Sequence, residues 1–304
     1  MRRRRPTVHL MCPWLMLLLL LSGCTATRDR FMAATVVPPP SESQTTPGAA
    51  ATGQTQSDST RPGAPLLRVG ITPSYPPLAF QEQGTLSGLE PDMARAIGQE
   101  LGRPVVFVER PWKTLIPSLE AGDIDVIMSG MSITEARQRR VWFVQPYLRV
   151  GQMAIVRKTG SIDLGSPELL YRTDRRVGFV AGTTGETLVK SKIPKAQYVP
   201  FASADEGLQA LRQDQIDAFV HDAITTWRLW GGSQDNIEGL FSPLTEEYLA
   251  WAVRKDDEAL HSKLNAIVAQ WKRSDRLQVM FNKWLTFQVQ GFEYSDSGSA
   301  GINR

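Results

Sequence analysis

The stretch Ile124-Asp125-Val126-Ile127-Met128-Ser129-Gly130-Met131-Ser132-Ile133-Thr134-Glu135-Ala136-Arg137 decides the fold class. Ile124 to Met128 is short and apolar, which reads as a buried strand. It stops at Ser129-Gly130-Met131-Ser132. A helix starts near Ser132 or Thr134, and Ser132-Ile133-Thr134-Glu135 fits a capping box. A strand that passes through a polar turn straight into a helix is the unit from which parallel sheets covered by helices are built.

The same grammar extends in both directions. Upstream, Leu67 to Ile71 alternates and stops at Thr72-Pro73, a strand leading into a loop through Tyr75-Pro76-Pro77. Pro91 to Leu101 predicts a helix stopped by Gly102, with Met93, Ala94, Ile97 and Leu101 on one face. Val105 to Val108 is a strand, and Trp112 to Ala121 a helix ending at Gly122. Downstream, the strand Arg176 to Val180 runs into Gly182-Thr183-Thr184-Gly185. Ala204 to Gln213 is a helix, Ile216 to Val220 a strand ending at His221-Asp222, and Ala223 to Trp230 the next helix. Tyr248 to Val253 is a further strand, and Ala259 to Trp271 and Leu277 to Trp284 are terminal helices. Two α/β units on one chain, with polar groups at strand carboxyl ends, place a site in the crevice between them.

Composition narrows the class. The 304 residues are 42% apolar and 21% charged, which excludes an acidic or basic disordered chain and a polytopic membrane protein. The net charge of +3 comes from the leader. Arg2 to Arg5 form a basic segment ahead of the apolar run Leu10 to Leu21, which at about 12 residues is too short to span a bilayer. Residues 1–23 therefore read as a signal peptide. Removing them takes away four arginines and no acid, leaving 30 cations against 31 anions and no basic surplus to suggest nucleic acid. The two cysteines, Cys12 and Cys24, both lie in the first 24 residues, so the body of the protein has no disulfide framework or cysteine metal site. Residues 24–65 are rich in Thr, Ser, Pro, Ala and Gly and read as a disordered tether, with a span of roughly 35 Å. Residues 291–304 read as a polar tail.

A zwitterionic amino acid needs a guanidinium and hydrogen-bond donors for its carboxylate, a carboxylate for its ammonium, and a shaped wall for its side chain. Ser129 to Arg137 offers the first set, Asp222 the second, and Tyr75 and Trp112 the wall. The bland readings are that Arg137 is one cation in the run Arg137, Arg139, Arg140, that Asp222 merely caps the next helix, and that Trp112 and Tyr75 are core residues. Adjacent turn threonines are not expected both to face a cleft, so Thr183 is preferred to Thr184.

At several spaced points the chain resembles the type II periplasmic solute-binding proteins of the polar amino-acid transport family. The points are Val69-Gly70-Ile71-Thr72 with Tyr75-Pro76-Pro77, Gly88-Leu89-Glu90-Pro91-Asp92, Trp112 with Leu115 to Leu119, Asp125 to Arg137, Pro146-Tyr147, Gly182-Thr183-Thr184 and Asp217 to Asp222. Leu21-Ser22-Gly23-Cys24 resembles a lipobox, which implies lipidation of Cys24, a membrane anchor, and outer-membrane sorting in a Gram-negative host. The family implies an α/β fold of two lobes, each a mostly parallel sheet flanked by helices, joined by two hinge strands. Lobe 1 is expected over 66–152 and 250–290 and lobe 2 over 153–249, with crossings near Gly151–Val156 and Tyr248–Val253. By position, Arg137 would clamp the ligand carboxylate with Ser132 and Thr183. Asp222 would take the ammonium, with Ser129 and Gly130 contributing and Thr184 and His221 nearby, and Tyr75 and Trp112 would sandwich the side chain.

The implied function is an envelope-located, periplasm-facing substrate-binding lipoprotein of an ABC importer, monomeric, partnering a free amino acid and a permease, with no cofactor or metal and no catalysis. Relatives that bind cationic amino acids tend to carry an acid where this chain has Thr72. His221-Asp222 and Gly130 look closer to glutamine-type binders, which implies a neutral polar ligand. The alternative is a cyclohexadienyl or arogenate dehydratase on the same fold, which needs a general acid; Glu186 and His221 are its candidates. A sensory fusion would need further domains beyond Trp284.

Overall fold

Leu67, Val69 and Ile71 are fully buried, so the first apolar alternation becomes a central strand, β1 (Leu67–Ile71). The computed structural model describes residues 65–158, 164–231 and 236–285. The expected leader, Cys24, all of the tether but Pro65, and the tail lie outside the described residues.

A meander of β2 (Ser74–Tyr75), β3 (Ala79–Glu82) and β4 (Thr85–Ser87) follows β1 and leads into α1 (Leu89–Leu101). Gly102 ends α1 at φ 63°, and the N–H groups of Gly102 and Arg103 turn back to the Gln99 and Gly98 carbonyls. Next come β5 (Val105–Glu109), a 3-10 turn at Trp112–Thr114, α2 (Leu115–Glu120), β6 (Val126–Ile127), α3 (Glu135–Gln138) and β7 (Trp142–Phe143).

Strand β8 (Leu148–Val150) leaves this unit and β9 (Gln152–Arg157) enters the second. There follow α4 (Pro167–Arg172), β10 (Arg176–Val180), α5 (Thr184–Lys192), β11 (Gln197–Phe201) and α6 (Ala204–Arg212). The unit closes with β12 (Ala218–Asp222), α7 (Ala223–Gly231) and β13 (Ile237–Leu240). Strand β14 (Glu247–Leu249) carries the chain back, and β15 (Ala252–Val253), α8 (Glu258–Arg273) and α9 (Arg276–Trp284) complete the first unit.

The strand order is β5-β1-β6-β15-β7 in the first sheet and β11-β10-β12-β9-β13 in the second. In both, three parallel strands are followed by one that runs antiparallel to its neighbours. The lone antiparallel strand is the one reached directly from the connection between lobes: β9 on the outward pass, β15 on the return. Strands β8 and β14 pair with each other as a two-stranded ribbon. The crossings therefore lie at 148–150 and 247–249, a few residues ahead of the expected segments. Gln152 and its successors already belong to the second sheet, and Ala252–Val253 to the first.

Other expectations shift for local reasons. The segment Trp112–Ala121 is a 3-10 turn followed by α2 rather than one helix. The cap of α3 is Thr134, whose hydroxyl accepts from the Arg137 N–H, and not Ser132, which bridges to Leu249. Tyr248–Val253 is not one strand: between β14 and β15 the chain turns Trp251 fully inward, stacking on Tyr147 and edge-on to Trp271. Around this aromatic trio the buried face of α1 and the residues Leu260, Leu264 and Val268 of α8 form the core of the first lobe. The second sheet carries apolar clusters of its own, one holding Val177, Phe179 and Leu188, the other Ile155, Leu211 and Phe219.

Candidate functional site

Four strand ends point into the space between the lobes: Thr72 after β1, Ser129 after β6, Gly182 after β10, and His221-Asp222 at the end of β12. Thr72, Ser129, His221 and Asp222, with Thr183 next to Gly182, line a cavity of about 240 Å³, far more than the roughly 10–15 Å³ that a single water requires. All ten residues expected at the site line it.

From the first lobe, Arg137 sits one turn into α3. Its Nη1 donates to the Ser132 carbonyl at 2.7 Å, and its guanidinium lies over the Trp112 ring, 5.2 Å from the centroid. Burial pulls the guanidinium down to about 10 against the opposing charge of Glu247, so Arg137 remains cationic at neutral pH. Among the described residues it has no carboxylate within ion-pair distance. Ser129 Oγ accepts from the Thr72 N–H at 3.0 Å and keeps its own proton free. The Ser132 hydroxyl, by contrast, donates to Glu247 at 2.7 Å, so its proton is already committed.

Gly130 is where the chain must be glycine. Its φ is +65°, and an added Cβ would sit 2.5 Å from the Tyr75 ring and 2.8 Å from Leu78. Its N–H donates to the carboxylate of Glu90, 2.8 Å away and fully buried. Glu90 also receives the Tyr147 hydroxyl and, at 2.9 Å, the Trp251 indole N–H. The sequence reading missed Glu90 because an acid in a first helical turn looks like an ordinary helix-end charge.

Burial pushes Glu90 up to about 7, against those three hydrogen bonds, which favour its charged form. A carboxyl that ionises at 4.5 unfolded and about 7 folded holds its proton more tightly in the native state. Its stabilising contribution is therefore full below about pH 4.5 and declines as pH rises to about 7, by about 3 kcal/mol. A carbon-13 titration of the Glu90 carboxyl is expected to show a midpoint near 7, with the Gly130 amide moving through the same transition. A midpoint in the ordinary glutamate range contradicts this.

From the second lobe, Asp222 Oδ1 accepts from the Thr225 N–H at 3.0 Å and so caps α7. Its carboxylate also meets His221 Nδ1 and the Tyr75 hydroxyl. Burial raises its pKa, but His221, the Thr225 N–H and Tyr75 together outweigh that and hold it below the usual carboxylate value. Asp222 is both a cap and an anion facing the cavity.

Thr183 and Thr184 both line the cavity, contrary to the expectation for adjacent threonines, because the helix begins between them. The Thr183 hydroxyl donates to the Val180 carbonyl at 2.7 Å. Thr184 Oγ1 accepts from Gln152 Nε2 at 3.1 Å, which turns its own proton outward as a donor. Thr184 is thus the better-presented donor of the two, the reverse of the preference read from the sequence.

The lobes touch across the cavity. Trp112 Nε1 donates to the Gly182 carbonyl at 2.9 Å, Arg137 Nη2 reaches the same oxygen at 3.4 Å, and Tyr75 bonds Asp222.

Glu186 does not line the cavity. It is held by Lys190 and the Gly182 N–H, which keep its pKa low, the wrong direction for a general acid. Among the described residues no group of three or more His, Cys, Asp or Glu could hold a metal ion, and no helix is long and apolar enough to cross a membrane.

Two α/β lobes joined by a two-stranded ribbon, with a cation and an anion facing one cavity between them, define a solute receptor. The chain belongs to the bacterial extracellular solute-binding proteins, family 3, whose pattern it matches over residues 67–287. It is similar to the histidine-binding periplasmic protein of Salmonella typhimurium (strain LT2), with 30% identity over 74% of this chain and 89% of that protein. Among solved structures it is similar to the ancestral amino acid-binding protein AncCDT-1, a precursor of cyclohexadienyl dehydratase (33% identity, TM-score 0.66, 72% of this chain and 94% of that one). A second is an ancestral arginine-binding protein bound to arginine (31% identity, TM-score 0.66, 72% and 97%).

Proposed function

We propose that the chain is the substrate-binding component of an amino-acid ABC importer, facing the periplasm on a lipid attached at Cys24. One observation carries the reading: Arg137 and Asp222, of opposite charge, face one cavity from opposite lobes. The ligand carboxylate takes Arg137 and the hydroxyl of Thr184, and the ammonium takes Asp222. Gln152 Oε1, a buried acceptor without a protein partner on the strand beside Asp222, adds a neutral acceptor for that ammonium. Tyr75 and Trp112 wall the side chain. A neutral polar amino acid fits the position of Thr72, whose hydroxyl is turned to the Arg110 carbonyl and brings no negative charge.

A ligand that binds only the native state raises stability by RT ln(1 + [L]/Kd), so at a hundred times Kd the gain is about 2.7 kcal/mol. A melting screen of the purified chain against the twenty L-amino acids is expected to single out one or a few that raise Tm by several degrees. No response to any of them, together with turnover of prephenate or arogenate, would support the dehydratase instead.

A further inference from the structure

Glu247 opens β14 in the ribbon that joins the lobes, opposite Val150 of β8, and it does not line the cavity. Its two carboxylate oxygens are nevertheless the root of two hydrogen-bonded chains that reach the cavity. Oε2 accepts from the Ser132 hydroxyl at 2.7 Å, and the Ser132 carbonyl in turn accepts from Arg137 Nη1 at 2.7 Å. Oε1 accepts from the Thr245 hydroxyl at 2.9 Å. Thr245 Oγ1 accepts from the Gln152 N–H at 2.8 Å, and Gln152 Nε2 donates to Thr184 Oγ1 at 3.1 Å. One arm thus ends at Arg137 in the first lobe and the other at Thr184 in the second. These are the two groups assigned to the ligand carboxylate.

Chemistry fixes the direction of these bonds. A carboxylate only accepts, so both hydroxyls must donate to it. Thr245, having given its proton to Glu247, meets the Gln152 N–H as an acceptor. Backbone contacts hold the same groups against the ribbon. Ser132 bridges to Leu249, and the Ile133 N–H donates to the Tyr248 carbonyl at 2.8 Å, which stitches the site turn of the first lobe to β14. On the other side the Leu244 N–H donates to the Gln152 carbonyl at 2.7 Å, and a Cβ on Gly151 would fall 2.1 Å from the Thr245 carbonyl oxygen. Glu247 is also the negative charge whose field acts on Arg137 from beyond ion-pair distance.

We infer that Glu247 is a positioning residue for the ligand carboxylate: from the ribbon between the lobes it sets Arg137 through Ser132, and Thr184 through Thr245 and Gln152. This rests on the amino-acid reading of the cavity and adds to it a residue that touches no ligand. A guanidinium and a hydroxyl that hold one carboxylate from two lobes must keep a fixed separation, since hydrogen bonds weaken steeply with misalignment. A carboxylate in the connection, bonded to both sides, supplies that separation. Connected polar networks of this kind can be worth more than the sum of their pairwise bonds.

The test is a double-mutant cycle by calorimetric titration of the mature full-length chain. The twenty L-amino acids are titrated singly into wild type, and the tightest is carried through Glu247→Gln, Thr245→Val and the double variant. Glu247→Gln keeps the length but leaves one hydroxyl without an acceptor, and is expected to weaken binding at least about fivefold. Thr245 lies outside the cavity lining, so Thr245→Val cuts only the second arm; it is expected to weaken binding at least about threefold. The double variant is expected to bind within about twofold of the weaker single one, because both changes cut one chain, whereas two separate structural losses would multiply. Glu247→Asp keeps the charge but is one methylene too short to hold both arms. It is expected to lose binding as well, and serves should Glu247→Gln misfold. A smaller loss in either single variant, losses that multiply in the double variant, or wild-type affinity in Glu247→Asp overturns the positioning role and leaves the amino-acid reading standing. Binding of no amino acid to wild type overturns both.

Discussion

Arg137→Ala is expected to weaken amino-acid binding by roughly 30-fold to a few thousandfold, that is by about 2–5 kcal/mol, while leaving the unliganded protein folded. The size follows from where the charge sits. Arg137 has lost enough water to bring its guanidinium down to about 10, and Glu247, beyond ion-pair distance, offsets only part of that loss. In the proposed binding mode a ligand carboxylate supplies a direct partner in a setting that solvent screens poorly. Alanine removes that partner and the face that stacks on Trp112, so the Trp112 to Gly182 contact between lobes loses support as well.

The unliganded fold depends on Arg137 much less. Its own bonds are to two backbone carbonyls, Ser132 and Gly182, and the second reaches across the cleft. Arg137→Lys keeps the charge but not the planar two-pronged donor, and should fall between wild type and alanine. The measurement is a pair of titrations by calorimetry or tryptophan fluorescence, beside a melt without ligand. An unliganded Tm close to wild type with ligand affinity also unchanged would remove Arg137 from the site and return it to the solvated cation of the bland reading.

The sequence showed what depends on neighbours in the chain and hid what depends on distant ones. Strand β1, helix α1 and the turn after β6 were legible because alternation, a proline in the first turn and a glycine stop act within one element. Arg137 and Asp222 were picked out in the sequence because the turn after β6 leads into the helix that carries Arg137, and Asp222 ends a strand, β12. Glu90 was not: its partners Gly130 and Trp251 are 40 and 161 residues away. Arg228, between Trp227 and Leu229, carries no local signal that it lines the cavity. Gln152 carried a usable signal, since a polar residue opens a run of Met153 to Val156 that is otherwise apolar. The break at Trp251 was hidden too, because β14 pairs with β8 in the ribbon while β15 joins the first sheet, and the Trp251 indole, bonded to Glu90, lies between them.

Asp222→Asn is expected to lower ligand affinity by about 2–3 kcal/mol, roughly 30- to 150-fold, with little change in unliganded Tm. Asp222→Ala is expected to lower both. The contrast separates two jobs that this carboxylate does at once. As a cap, its Oδ1 receives the Thr225 N–H, and a neutral asparagine oxygen does this as well as a carboxylate. Alanine cannot, and losing a cap costs about 0.5–2 kcal/mol, added to by the Tyr75 hydroxyl left without its acceptor. As an anion, Asp222 balances the ligand ammonium in the proposed binding mode, and asparagine would fail at that. The direction of its pKa sets the pH range in which the difference is visible. Because the carboxyl titrates below its ordinary value of 3.8, the charge is in place throughout the neutral and mildly acid range and is lost only as pH falls through the depressed folded value. Wild-type affinity should therefore hold down to about pH 5, apart from what Glu90 contributes as it takes up its proton near 7. The gap between wild type and Asp222→Asn should stay constant over that span. If asparagine bound ligand as tightly as aspartate while alanine merely melted earlier, Asp222 would be a cap and nothing more, and the ammonium would have to be held elsewhere.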